Sequence, residues 1–153
     1  MAKRPQENIL KNIETLDEIA EPLLRWFHSE KRALPWREEP TPYRVWVSEI
    51  MLQQTRVEAV KPYFERFITA LPDVRTLACA DETLLMKLWE GLGYYSRARH
   101  LQSAARLICS DHGGEIPAHF DGLLSLPGIG RYTAGAVASI AFGERRPAVD
   151  GNV

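Results

Sequence analysis

No run of about 18 apolar residues occurs in the 153-residue chain, so nothing in it reads as a membrane-spanning helix. The polar start, Met1 to Asn8, lacks the apolar core of a secretory signal. Cysteine is scarce. Cys79 and Cys109 are the only two, far apart and without a second pair, which argues against a disulfide scaffold. They read as reduced core thiols of a cytosolic protein, with a disulfide as the alternative. The histidines, His28, His100, His112 and His119, show no metal-ligand spacing. Charge of one sign is also missing: 19 basic residues face 20 acidic ones, for a net charge of −1. Nucleic-acid binders usually carry a basic excess. A local basic face remains open, because Arg97, Arg99, Arg106, Arg131, Arg145 and Arg146 gather in the last third. Strand-type alternation, internal repeats and low-complexity linkers are absent.

What is present is helical periodicity and enough apolar residue, 45% of the chain, to fill a core. Apolar positions recur at three- and four-residue steps from Ile9 to Phe27, predicting a helix over 8–29. Prolines 35, 40 and 42 then mark a loop. Thr41 before Pro42 resembles an N-cap with proline at the first helical position, opening a helix to about Gln54. Thr55-Arg56-Val57-Glu58 fits a capping box for the next helix, which Pro62 interrupts. Further helices are predicted from Asp81 to Gly91, over 96–111, from Phe120 to Leu126, and from Arg131 to Phe142 with Gly143 as its stop. The expected architecture is an all-α multi-helix bundle of about seven short helices. The chain stops at "PAVDGNV", turn chemistry normally followed by another element, so a truncated chain is expected.

Four segments carry chemistry. In "LLSLPGIG", Gly128 and Gly130 lie between two predicted helices. Glycines there bring backbone N–H groups to the surface, where a phosphate can meet them at a helix N-terminus. A plain helix–helix turn is the simpler reading. With "RYTAGAVASIAFG" following, the whole of about 120–142 has the form of a helix-hairpin-helix, which grips the DNA backbone without reading sequence. In "VWVSEIMLQQT", Glu49 stands among Val45, Val47, Ile50, Met51 and Leu52. Burial there raises a carboxyl pKa and suits a general acid or base; a solvent-facing glutamate is the alternative. Asp150 reads either as a carboxylate able to stabilise a cation or as an N-cap. Trp36, Tyr94 and Tyr95 lie off the apolar stripes, where aromatics can stack on or wedge between bases, or cover a core edge.

Together, "LPWR", "WVSEIMLQQT", "GLGYYSRARHL", "LPGIGRYTAGAVASIAFG" and "PAVDGN" resemble, in order and over most of the chain from Leu34, the adenine DNA glycosylases of the MutY type. These belong to the helix-hairpin-helix superfamily that includes endonuclease III. The resemblance implies a DNA repair enzyme that removes adenine mispaired with 8-oxoguanine or guanine in double-stranded DNA. It implies that Glu49 and Asp150 are the catalytic carboxylates, with Tyr132 and Asn152 supporting the site. Gln54 and Tyr94 match residues that enter the double helix, and Thr55 one that meets the oxidised guanine. Leu34, Trp36 and Arg37 match the adenine pocket, and Gly128 and Gly130 the hairpin.

By the same resemblance, residues 1–30 form a helix that packs on a C-terminal region missing here, and 31–153 form the glycosylase domain. The family's [4Fe-4S] cluster is expected in the full-length protein, its cysteine ligands lying beyond this chain's last residue. A monomer is expected, without membrane partners, in the bacterial cytoplasm at the nucleoid. Two alternatives stay open. One is an inactive DNA-binding fragment. The other is an oxidised-pyrimidine glycosylase with lyase activity like endonuclease III, which needs a lysine nucleophile where this chain has Tyr132.

Overall fold

A computed structural model describes residues 5–149, with side chains from Glu18 onward. The chain separates into two compact units, Met1–Ala33 and Leu34–Val153. The first is one long helix, α1 (Pro5–Glu30), with Pro22 inside it. Its C-terminal half leaves Ile19, Leu23, Leu24 and Trp26 each half or more exposed. No described helix is long and apolar enough to cross a membrane.

The second unit is helical throughout its described residues: α2 (Pro35–Glu38), α3 (Pro42–Leu52), α4 (Val57–Ala70), α5 (Val74–Cys79), α6 (Glu82–Trp89), α7 (Ser96–Asp111), α8 (Phe120–Leu124) and α9 (Arg131–Phe142). Helix α3 is its axis. Thr41 caps it by accepting a hydrogen bond from the Arg44 N–H, and Pro42 starts it at preset φ. From Val45 to Met51 every residue except Glu49 is buried. A helix apolar almost all round must be wrapped, and α2, α4, α7 and α9 pack on it. Trp46, Phe64, Phe67 and Trp89 are the bulkiest fully buried side chains among the described residues, each stabilising the fold by roughly 2–3 kcal/mol.

Several local expectations change. Helix α3 ends at Leu52, two residues early, which frees Gln53 and Gln54 into a turn. The capping box expected at Thr55–Glu58 does not form. Thr55 Oγ1 instead donates back to the Gln53 carbonyl at 3.3 Å, and α4 begins after Arg56 with no side-chain cap. A true capping box occurs at Asp73 and Thr76, opening the unforeseen α5. The loop around Trp36 holds one helical turn, α2, and α8 stops at Leu124. The cysteines are not core thiols: Cys79 is exposed at the end of α5 and Cys109 only half-buried on α7, both free.

The hairpin joins α8 to α9 through Leu126-Pro127-Gly128-Ile129-Gly130. Buried Leu126 and Ile129 pin the turn to the core, and the Ile129 N–H closes it on the Leu126 carbonyl at 3.2 Å. Thr133, Ala134, Gly135, Ala136 and Ala138 are buried, and their small side chains let α9 approach α3 and α8 closely. Beyond Gly143 the chain turns back, and the Pro147 carbonyl presses on α9 at Gly135, leaving no room for a Cβ. Glu144 accepts a hydrogen bond from the Phe120 N–H at 2.9 Å, clamping the end of α9 to the start of α8.

Candidate active site

Glu49 is the one residue between Val45 and Met51 that reaches partly out of the core. Its surroundings push in two directions. Burial raises the carboxyl above its ordinary value of 4.5, while a hydrogen bond from Tyr132 and the positive charge of Arg37 favour the ionised form. Burial wins, so the group holds its proton to higher pH than a solvated glutamate. Helix α3 presents Glu49, the first turn of α9 presents Tyr132, and α2 presents Arg37. Three elements thus converge on one carboxyl.

One turn further along, Gln53 Nε2 donates to Thr133 Oγ1 on α9 at 3.4 Å, fixing the end of α3 to the hairpin's second helix. Gln54 follows, exposed, at φ 57°. Tyr94, 65% exposed, stands at φ 47° in the turn before α7. Among the described residues these are the two non-glycine positions with positive φ, a conformation that costs L-residues about 1–2 kcal/mol. Such strain persists where surrounding structure enforces it.

Arg97 binds the backbone just before both positions. Its Nη1 donates to the carbonyls of Ile50 at 2.9 Å, Met51 at 3.1 Å and Gln53 at 2.6 Å. Its Nη2 donates to the Leu92 carbonyl at 3.0 Å and the Gly93 carbonyl at 3.2 Å. One guanidinium therefore caps the C-terminus of α3 and holds the turn before α7. It also sits over the rings of Trp89 and Tyr94, at 5.5 and 5.7 Å.

The other predicted residues divide. Thr55 is half-buried, its hydroxyl turned to its own backbone. Leu34 and Trp36 belong to the core at 2% and 6% exposure, with the Trp36 ring edge-on to Phe64 at 5.3 Å. Trp36 is therefore not the loose loop aromatic that its prolines suggest. Gly128 and Gly130 are exposed on the hairpin. Asp150 and Asn152 lie outside the described residues. Four of the six arginines that left a local basic face open are engaged within the chain. Arg97 and Arg106 are turned to backbone carbonyls, and Arg99 and Arg146 are paired with Glu82 and Glu144. Nothing in its spacing marked Arg97 out among the neighbouring arginines.

No group of three or more His, Cys, Asp or Glu side chains among the described residues could hold a metal ion. Cys79 and Cys109, on different helices, do not fit the four-thiolate set that an iron–sulfur cluster requires.

The comparisons with known proteins agree on a family. The family described as HhH-GPD superfamily base excision DNA repair protein matches residues 47–153. An adenine DNA glycosylase of Rattus norvegicus is 42% identical over 172 residues, covering all of this chain and 33% of that protein. One from Buchnera aphidicola subsp. Acyrthosiphon pisum is 43% identical over 132 residues, covering 86% of this chain and 38% of the relative. The solved structure of a thermostable thymine-DNA glycosylase matches with a TM-score of 0.85 at 28% identity, covering 92% of this chain and 65% of that one. The chain spans about a third of the length of the curated relatives it matches.

Proposed function

Because the chain belongs to the HhH-GPD superfamily of base excision DNA repair proteins, we propose that it excises adenine mispaired with 8-oxoguanine or guanine from double-stranded DNA, by acid-assisted hydrolysis of the N-glycosidic bond. The observation that carries the reading is Glu49: a carboxyl that burial makes hold its proton to higher pH than a solvated glutamate, hydrogen-bonded by Tyr132, on the helix that runs out into Gln54. The names of the relatives support adenine as the base.

An adenine in duplex DNA must leave the stack before its glycosidic bond is reachable, at a cost of a few kcal/mol. The hairpin amides around Gly128 and Gly130 hold the phosphate backbone, and the helix N-terminus of α9 adds its partial positive charge. Protonated Glu49 gives its proton to adenine N7, and the C1′–N9 bond breaks with its electron pair leaving on the base. The sugar acquires oxocarbenium character, which ionised Asp150 stabilises. Carboxylate Glu49 then takes a proton from water as its oxygen bonds to C1′, and the pair returns to its starting state. Tyr132 offers a hydroxyl where a lyase of this superfamily carries a lysine amine. Hydrolysis without strand cleavage is expected, and a borohydride-trapped covalent DNA adduct would contradict it.

The test is single-turnover release of adenine from a duplex with one A opposite 8-oxoguanine. Glu49→Gln is expected to lose at least ~1,000-fold in rate while still binding the duplex, within the range for a lost general acid. In the unaltered protein, release declines as pH rises through the raised Glu49 pKa, because the protonated form is the donor. Stability has a fixed sign too. The native carboxyl's pKa exceeds that of the unfolded chain, so Glu49 costs stability that accumulates as pH climbs from about its ordinary 4.5 toward the raised value. Glu49→Gln is therefore expected to melt higher than the parent at neutral pH and to lose that advantage in acid. Undiminished release by this variant would remove Glu49 from the reaction.

A further inference from the structure

We propose that Arg97 is a positioning residue that makes the turns bearing Gln54 and Tyr94 enter the duplex as one unit. The inference rests on the reading above and adds to it a residue that touches neither base nor sugar. Its basis is geometric. The two turns are 40 residues apart in sequence, and each ends in an exposed side chain on a backbone of positive φ. The five carbonyls that accept from Arg97 come from both: Ile50, Met51 and Gln53 on one side, Leu92 and Gly93 on the other. No other described hydrogen bond runs from one turn to the other.

The chemistry of the group matters. A guanidinium is a rigid planar fork whose two terminal nitrogens can serve two partners at fixed separation; an ammonium is a single point. Charge-assisted bonds of this kind resist a load better than neutral ones. When DNA pushes on Gln54, the displacement passes through the Gln53 carbonyl and the guanidinium to Gly93 and so to Tyr94. Trp89 locks the far side, its Nε1 donating to the same Gly93 carbonyl at 3.1 Å. The Arg97 charge over the Tyr94 ring restrains that side chain as well.

The experiment compares the parent with R97K and R97M. A duplex carrying 2-aminopurine beside the mispaired adenine reports unstacking, and adenine release is followed on the same duplex. R97K keeps a cation at the end of α3 and is expected to bind the duplex as the parent does, through the hairpin. It is expected to unstack the probe and release adenine ~100-fold more slowly, the penalty of a small misplacement of groups that must act together. Gln54→Ala, Tyr94→Leu and their combination complete the test. In the parent background the double variant is expected to lose no more than the worse single one, the mark of residues working as a unit. In the R97K background the two losses are expected to multiply. Without DNA, R97K is expected to speed amide hydrogen exchange at both turns together by about 10-fold, the loss of roughly one charge-assisted bond.

Independent losses in the parent, or faster exchange at only one turn in R97K, would overturn the role of Arg97. A weakening of duplex binding by R97K equal to its loss of rate would reduce Arg97 to a fold support and overturn it too. A parent that unstacks the probe yet releases no adenine would overturn the proposed activity and leave the coupling standing. A parent that neither binds nor unstacks the duplex would overturn both.

Discussion

Two regions at the start of α7 solve opposite problems with the same backbone conformation. At the junction of α3 and α7, positive φ falls on Gln54 and Tyr94, which keep large exposed side chains. At the hairpin it falls on Gly128, at 76°. Arg97 and His100, three residues apart and so on one face of α7, serve one region each. Arg97 ties the junction through five carbonyls, while the His100 side chain backs Gly128 so closely that a Cβ there would stand 2.6 Å from the His100 Cβ. Where a side chain must project, the chain tolerates strain and holds it with a half-buried cation. Where the backbone itself must be bare, it uses glycine, and the turn is closed by its own backbone rather than by a side chain.

Gly128→Ala breaks the hairpin half of this contrast and carries the largest expected effect on stability. A Cβ at positive φ costs about 1–2 kcal/mol. The collision with His100 is with the root of the side chain rather than its flexible end, and overpacking adds about 1–3 kcal/mol. A loss of roughly 2–5 kcal/mol is expected, read as a lower denaturation midpoint at unchanged slope. An unchanged midpoint would mean that the turn is not held in the conformation described.

Gln54→Gly sharpens the other half with a smaller effect of opposite sign. Glycine removes the left-handed strain, about 1–2 kcal/mol, and gives back about 0.5–1 kcal/mol in chain entropy. The variant is expected to gain up to about 1.5 kcal/mol in chemical denaturation while losing adenine release. Stability rising as activity falls would mark Gln54 as strained for use. Destabilisation would mean that its side chain supports the fold instead.

The same contrast explains what the sequence disclosed. Helices α7 and α9 were legible to the residue, because apolar periodicity and glycine stops are local signals, as was the hairpin itself. Helix α5 was not. Its six residues carry less than two turns of periodicity, and its capping box uses Asp73 and Thr76 rather than the usual serine-to-glutamate pairing. The expected box at Thr55 failed because the early end of α3 gave that hydroxyl a nearer acceptor in Gln53. Glu49 stood out by sequence, since one carboxylate among valine, isoleucine and methionine implies burial. Arg97 did not. Five carbonyls from two distant turns leave no trace in spacing, and an arginine near other arginines reads as surface charge. Trp36 misled for a related reason: its neighbours are prolines, yet its ring packs on Phe64 from the next-but-one helix.

Gly130→Ala is the smallest and most discriminating change, because it separates folding from binding within a single turn. Gly130 caps α9 at φ −87° and ψ 175°, a conformation open to any residue, and no heavy atom lies within 4 Å of where its Cβ would be. Alanine is a poorer N-cap than glycine by a few tenths of a kcal/mol or more, but it lowers the entropy of the unfolded chain by about 0.4–1 kcal/mol. The two offset, so stability is expected to stay within ~0.5 kcal/mol of the parent. The methyl group nevertheless projects into the space where a phosphate would approach the first amides of α9. Weaker duplex binding at unchanged stability would assign that open space to the DNA backbone, and unchanged binding would confine the phosphate contact to Gly128 and its neighbours.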